Sequence, residues 1–146
     1  MRIISGKFKG RKIFLPENKK TRPLRDLVKE SIFNLINHSS KFKCNIHDSN
    51  ILDLFSGTGS FGIECLSRKA KKVTFIENYN EAIAILHKNI LALQEKVNFE
   101  IIEENCFNFF ISRKFFCEKF DLIFMDPPYK EKKINLIIEQ IKKKKF

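Results

Sequence analysis

Two short stretches hold the residues best suited to chemistry. The first is Asp53-Leu54-Phe55-Ser56-Gly57-Thr58-Gly59-Ser60-Phe61-Gly62, in which Gly57, Gly59 and Gly62 match the spacing G-x-G-x-x-G. Glycines at such a turn allow a tight backbone path and leave room for a ligand where a Cβ would stand. Glu77 follows Gly57 by 20 residues, where a carboxylate can accept hydrogen bonds from both hydroxyls of a ribose. This pattern fits two cofactor classes, a nicotinamide or flavin dinucleotide and S-adenosylmethionine. Asp53, ahead of the glycines, favours the second, because a carboxylate there could hold a positively charged amino-acid end. Asn105 and Cys106 come after the next acidic run, Glu103-Glu104. Asn105 could read an adenine edge with Cys106 as a small wall, or the pair could be a helix cap and a core residue.

The second stretch is Asp126-Pro127-Pro128-Tyr129. Two prolines stiffen the backbone and remove two N–H groups, which fixes the Pro127 carbonyl as an acceptor. Asp126 adds a second acceptor and Tyr129 a flat face. Two acceptors beside a stacking surface suit a planar substrate with an exocyclic NH2, whose lone pair they would aim at an electrophile. For a methyl sulfonium that is an in-line displacement, driven by positioning and local electrostatics without a covalent nucleophile.

These residues need rigid supports, and the hydrophobic pattern supplies them. From Asn50 onward, apolar runs alternate with helical spacing. Strands are expected at 51–55, 73–77, 99–102 and 120–125, and helices at 60–68, 80–93, 107–116 and 133–144. That alternation predicts βαβ units in a parallel sheet. Each chemical stretch then follows a strand directly, where α/β proteins bind ligands. Upstream, Arg2–Ser5 and Arg11–Leu15 read as a small basic ribbon bracketed by Gly6 and Gly10. A helix over 24–37 is expected to turn Leu24, Leu27, Val28, Ile32, Leu35 and Ile36 to one face. The chain reads as a single domain over 1–146, with ribbon and loop at 1–23, helix and linker at 24–49 and the α/β core at 50–146.

Composition narrows the setting. The 146 residues include 28 Lys+Arg against 17 Asp+Glu, a formal charge of +11, which favours a polyanionic partner or an anionic cofactor. Four cysteines at 44, 65, 106 and 117 lack metal spacing and point to a reducing compartment, and the three histidines are too scattered for zinc, so no metal is expected. No apolar run reaches membrane-spanning length, and the first 15 residues are broken by Lys, Arg and Gly, so neither span nor secretory signal is expected.

Taken together, the motifs resemble a known family. The chain is similar along its length to the bacterial S-adenosylmethionine-dependent methyltransferases that modify N2 of a guanine in small-subunit ribosomal RNA. The resemblance rests on Arg2-Ile3-Ile4-Ser5-Gly6, Gly10-Arg11-Lys12, Thr21-Arg22-Pro23, Asp26, Val28, Lys29-Glu30 and Phe33-Asn34. It continues through Leu52–Gly59, Gly62-Ile63-Glu64, Leu66-Ser67-Arg68 and Asp126–Tyr129. It departs from the family at Leu24 and Leu27, where a polar residue and an Arg are usual. It implies a Rossmann-like class I methyltransferase fold with a seven-stranded sheet. Four strands are legible here, so the last ones are expected to be absent and the form truncated. It implies cofactor contacts at Asp53, Phe55, Gly57, Gly59, Glu77, Asn105 and Cys106, and acceptor contacts at Asp126, Pro127 and Tyr129. The implied contacts to ribosomal RNA, free or inside an assembling ribosomal particle in the cytoplasm, fall to Arg2, Lys7, Lys9, Arg11, Lys12, Arg22 and Arg25. An exposed edge at 120–125 would favour self-association. The competing readings are an RNA-binding relative without catalysis, a DNA adenine or cytosine amino methyltransferase and a nicotinamide enzyme. The last leaves Asp126–Tyr129 without a task.

Overall fold

In the computed structural model, which describes residues 1–17, 24–40, 44–111 and 119–144, the four apolar runs form one parallel sheet. The elements in chain order are α1 (Asp26–His38), β1 (Asn50–Leu54), α2 (Ser60–Ser67), β2 (Lys72–Glu77), α3 (Asn80–Leu91), β3 (Phe99–Glu103), α4 (Cys106–Ile111), β4 (Leu122–Met125) and α5 (Ile134–Lys144). The strand order is β3-β2-β1-β4. Successive connections step outward to β3 and then return across β1 to β4. The direction of winding therefore reverses between β1 and β4, which makes that boundary the topological switch point of the sheet.

The pleat separates two cores. Ile51, Val73 and Phe75 face α2, α3, α1 and the ribbon, and pack with Phe33, Phe61, Ile63, Leu86 and Ile90. Leu52, Leu54 and Ile76 face the other way, onto Cys106, Phe109, Phe110 and Ile137 of α4 and α5. Central β1 and β2 are buried on both faces, which is why their sequences run apolar without alternation. Phe120 is buried, while β4 itself is half-buried. Phe124 stacks on Phe61 at 3.8 Å between ring centroids, Phe61 on Phe33 at 5.0 Å, and the Arg68 guanidinium lies 4.2 Å from the Phe33 centroid. This column ties the strand before Asp126 to α1.

The expected face of α1 holds only in part: Ile36 is buried and Leu24 and Ile32 pack against the core. Leu27 is 77% exposed and Val28 and Leu35 are also exposed, whereas Lys29, Phe33 and Ile36 are buried. The i, i+4, i+7 spacing of the true face includes a lysine, which a purely apolar pattern rejects. Burial is possible because Lys29 has buried partners. Its Nζ donates to Arg2 O at 3.0 Å and Ser60 Oγ at 3.3 Å, and lies 3.6 Å from Glu64 Oε2. Burial pulls the ammonium below its ordinary pKa, and the Glu64 charge opposes that shift. Most boundaries also differ by a residue or two, with β1 spanning Asn50–Leu54 and β2 Lys72–Glu77. Helix α4 starts at Cys106, and residues 112–118, with Cys117 and the rest of the expected Phe-rich helix, lie outside the described residues, as do Thr21-Arg22-Pro23. Strand β4 starts at Leu122, because Asp121 turns its carboxylate to the Asn50 N–H at 2.8 Å.

Residues 1–14 form the expected ribbon, closed by an antiparallel bridge between Arg2 and Lys12. Glu64, fully buried on α2, clamps it to the core. The carboxylate accepts from Ile4 N at 2.8 Å, Ser5 N at 2.9 Å and Arg68 Nε at 3.0 Å. Gly6 has φ +82° and sits so close to Ser67 that a Cβ would collide with the Ser67 carbonyl. Its lack of a side chain serves packing within the chain. Gly10, at φ +86°, faces open space.

Candidate active site

Parallel register brings the chemical residues to one edge. Leu54 pairs with Ile76 on one side and Met125 on the other. Phe55, Glu77 and Asp126, each the next residue, therefore share one row at the carboxyl end of the sheet. Glu77 and Asp126 are two strand spacings apart, roughly 10 Å between backbones. The glycine loop leaves β1 and the Asp-Pro-Pro-Tyr corner leaves β4, so the two halves straddle the switch point.

The loop is held internally. Phe55, Gly57 and Gly59 have φ of +56°, +55° and +80°. Ser56 N donates to Ile76 O at 3.1 Å and Gly59 N to Ser56 O at 2.8 Å. Glu77 Oε2 accepts from Gly57 N at 2.7 Å, and Oε1 accepts from Asn78 N and Tyr79 N, both at 2.9 Å. This carboxylate joins the second strand to the loop. Gly59 and Gly62 have a different task from the one their spacing suggested. A Cβ at Gly59 would strike Leu86, and one at Gly62 would strike the Phe75 ring. They let α2 and α3 close onto the sheet, and only Gly57 keeps the simple loop role.

Asp53 is 2% exposed and its Oδ2 accepts from Gly62 N at 3.0 Å. Burial pushes its carboxyl up to about 8, the Gly62 bond works against that, and the nearby Asp126 and Glu77 charges add to it. A buried acid whose charged neighbours are also acidic is poised to ionise when a cation arrives. The donor set therefore fits the cationic amino-acid end of S-adenosylmethionine better than a dinucleotide pyrophosphate. Asn105 Oδ1 accepts from Phe107 N at 2.9 Å, so it caps α4. Cys106 is buried, its Sγ accepts from Phe55 N at 3.3 Å, and burial pushes its thiol up to about 12. Both follow the structural alternative foreseen for them, and Cys106 still touches the loop.

Across the switch point Asp126 is exposed, yet partial desolvation raises its carboxyl above the usual range. Pro127 is half-buried and Tyr129 is 91% exposed. The Asp126 carboxylate and the exposed Tyr129 ring thus stand across the switch point from the glycine loop.

A family model described as conserved hypothetical protein 95 matches residues 1–146. The chain belongs to that family. A relative, the ribosomal RNA small subunit methyltransferase D of Haemophilus influenzae, is 37% identical over 144 residues, which is 95% of this chain and 71% of the relative. The solved structure of the Escherichia coli protein yhhF, described as a methyltransferase, superposes with a TM-score of 0.75 at 30% identity, over 97% of this chain and 71% of that one. A methyltransferase solved with S-adenosylhomocysteine, SMU.776, shares the fold at a TM-score of 0.61 and 22% identity, over 76% of this chain and 30% of that one. The expected family and the Rossmann-like methyltransferase fold both stand, with four parallel strands in place. Among the described residues no helix is long and apolar enough to cross a membrane.

Within this family member the basic residues do not act as one set. Lys7 Nζ pairs with Glu95 at 2.7 Å, and Arg11 donates to the Leu93 carbonyl and lies over Phe8 at 5.0 Å. Lys7 N also donates to Ser67 O at 2.8 Å, at the carboxyl end of α2, opposite the edge that carries Phe55, Glu77 and Asp126. Arg2, Lys9, Lys12 and Arg25 remain on the ribbon and at the head of α1, and Arg22 lies outside the described residues. Sequence reasoning gave no task to Lys29, Glu64 or Asn89. The available signal was a polar residue beside apolar neighbours on a buried stripe.

Proposed function

We propose that this chain transfers a methyl group from S-adenosylmethionine to N2 of a guanine in small-subunit ribosomal RNA. The observation that carries the reading is the pairing of an acid-lined glycine loop with an Asp-Pro-Pro-Tyr corner across one switch point. The bound cofactor would supply a methyl group on a positively charged sulfur. Asp53 would meet the amino end of that molecule, and Glu77 its ribose hydroxyls. Asp126 and the Pro127 carbonyl would accept the two N2 hydrogens and turn the nitrogen lone pair toward the methyl carbon. Asp126, whose carboxyl partial desolvation raises above the usual range, would be placed to take the proton that N2 gives up on methylation. Tyr129 would stack on the base, worth about 1–3 kcal/mol, once the guanine has left its own stack. The relatives named ribosomal RNA methyltransferases support the class of acceptor, and such work belongs in the cytoplasm.

Turnover of the purified protein on small-subunit ribosomal RNA tests this directly. Asp126→Ala should lower turnover far more than cofactor affinity. RNA with inosine for guanine, which lacks the N2 amine, should not be methylated. Methylation of the inosine RNA would refute the acceptor assignment.

A further inference from the structure

We propose that Asn89 is a positioning residue that makes the N-terminal ribbon part of the cofactor site, so that ligands on the two influence one another. The influence of RNA rests on the functional reading above; the effect on the loop does not.

Asn89 lies near the end of α3, on the stripe that carries Leu86 and Ile90, and is 3% exposed. Asparagine is a poor residue for a buried helix interior, since its amide competes with the backbone and must be fully bonded. Here its one acceptor and two donors are all used. Oδ1 accepts from Phe14 N at 2.7 Å, while Nδ2 donates to Phe14 O at 3.1 Å and to Thr58 O at 2.9 Å. The carboxamide pairs with Phe14 as a neighbouring strand would, and with the same group it holds the peptide unit between Gly57 and Gly59.

That location matters because both flanking glycines take left-handed φ and resist rotation least. Glu77 fixes the Gly57 N–H from the second strand. Asn89 fixes the next carbonyl from the ribbon side. The loop orientation thus depends on where Phe14 sits. Phe14 in turn lies under Lys88, 4.1 Å from its ring centroid, and Lys12, at 5.9 Å. Lys12 also bridges Arg2 across the ribbon. A phosphate engaging Arg2 or Lys12 would act on the strand end that Asn89 grips. Such a load reaches Thr58 through two side-chain hydrogen bonds, without touching the cofactor.

The test is calorimetric titration of S-adenosylhomocysteine into the protein, free and saturated with a small-subunit ribosomal RNA fragment. It compares the natural chain with Asn89→Leu and Asn89→Asp. Leucine matches the volume and removes all three bonds. Aspartate keeps the Phe14 N–H bond and loses both donations, and serves if the leucine variant does not fold. The free variants should bind S-adenosylhomocysteine about fivefold to tenfold more weakly. RNA should change cofactor affinity about fivefold or more in the natural chain and by less than twofold in the variants. Hydrogen exchange at residues 57–59 should quicken in the variants while that at residues 83–86 does not. Folded variants with natural cofactor affinity and natural exchange at the loop would overturn the proposal. Equal RNA coupling in natural and variant chains would overturn it as well. If the natural chain binds S-adenosylhomocysteine and no RNA, the ribosomal reading fails alone, and the loop arms still decide the role of Asn89.

Discussion

If Asp53 meets the cationic end of the cofactor, binding should release a proton. Its buried carboxyl titrates at about 8, so at pH 7 roughly one molecule in ten carries the charge, and at pH 6 about one in a hundred. If the cationic end of S-adenosylmethionine requires the carboxylate, affinity should rise about tenfold per pH unit between roughly 6 and 7. The window stays below the α-amino pKa of the ligand, near 8, so the ligand keeps its own charge throughout. The sign follows from the direction of the shift. Burial raises the pKa of the free site, the bound cation lowers it, and a proton leaves on binding. Calorimetry at pH 6.5 in buffers of different ionisation enthalpy should count close to one proton released per cofactor. Asp53→Asn should bind weakly, release none and show a flat profile, while Asp126→Ala should retain the slope. A flat profile with no proton released in the natural chain would refute the role given to Asp53.

The same acid should cost stability as pH rises from about 4 toward 8, since the folded state keeps a proton that the unfolded chain has shed; urea titrations should show Asp53→Asn gaining on the natural chain across that range. Glu64→Ala should destabilise by about 3–5 kcal/mol, because it removes the buried counter-charge of Lys29 and releases two ribbon N–H groups; Glu64→Leu with Lys29→Met should cost less than the sum of the single changes. Gly6→Ala, which collides with Ser67, should cost more in thermal melts than Gly10→Ala, whose penalty is the left-handed φ alone, about 1–2 kcal/mol. Among the described residues β4 pairs only with β1, so its outward amides should exchange faster than those of 51–54. We propose that this edge also drives the self-association expected from the sequence, detectable as concentration-dependent sedimentation.

The α/β core was legible because short apolar runs and helical spacing alternate without interruption from Asn50, and each chemical motif sits where a strand ends. The positions of β1 and β2, to within a residue, and the α3 face at Ile83, Leu86 and Ile90 followed directly. The α1 face followed only in part, because the physics that buries Lys29 comes from Glu64, 35 residues away in sequence, and hydrophobic periodicity sees only near neighbours. In the same way, G-x-G-x-x-G marked the loop correctly, but spacing could not say that Gly59 makes room for Leu86 and Gly62 for Phe75. Lys7 and Arg11 counted as free charge in the sequence and are spent on Glu95 and the Leu93 carbonyl in the fold. Asn105 and Cys106 were legible only as alternatives, since one side chain can cap a helix and border a ligand at once.

The outward ring of Tyr129 has an optical consequence. The chain contains no tryptophan and only two tyrosines, so its ultraviolet emission has two sources. Tyr79 follows the ribose-side carboxylate, whose Oε1 bonds its backbone N–H, and Tyr129 stands at the acceptor corner. One emitter therefore borders each half of the crevice, with no indole to drain or mask either signal. A purine stacked on Tyr129 should quench its light, and Tyr79→Phe would leave that lamp alone. Occupancy of the acceptor half could then be followed in real time without a label.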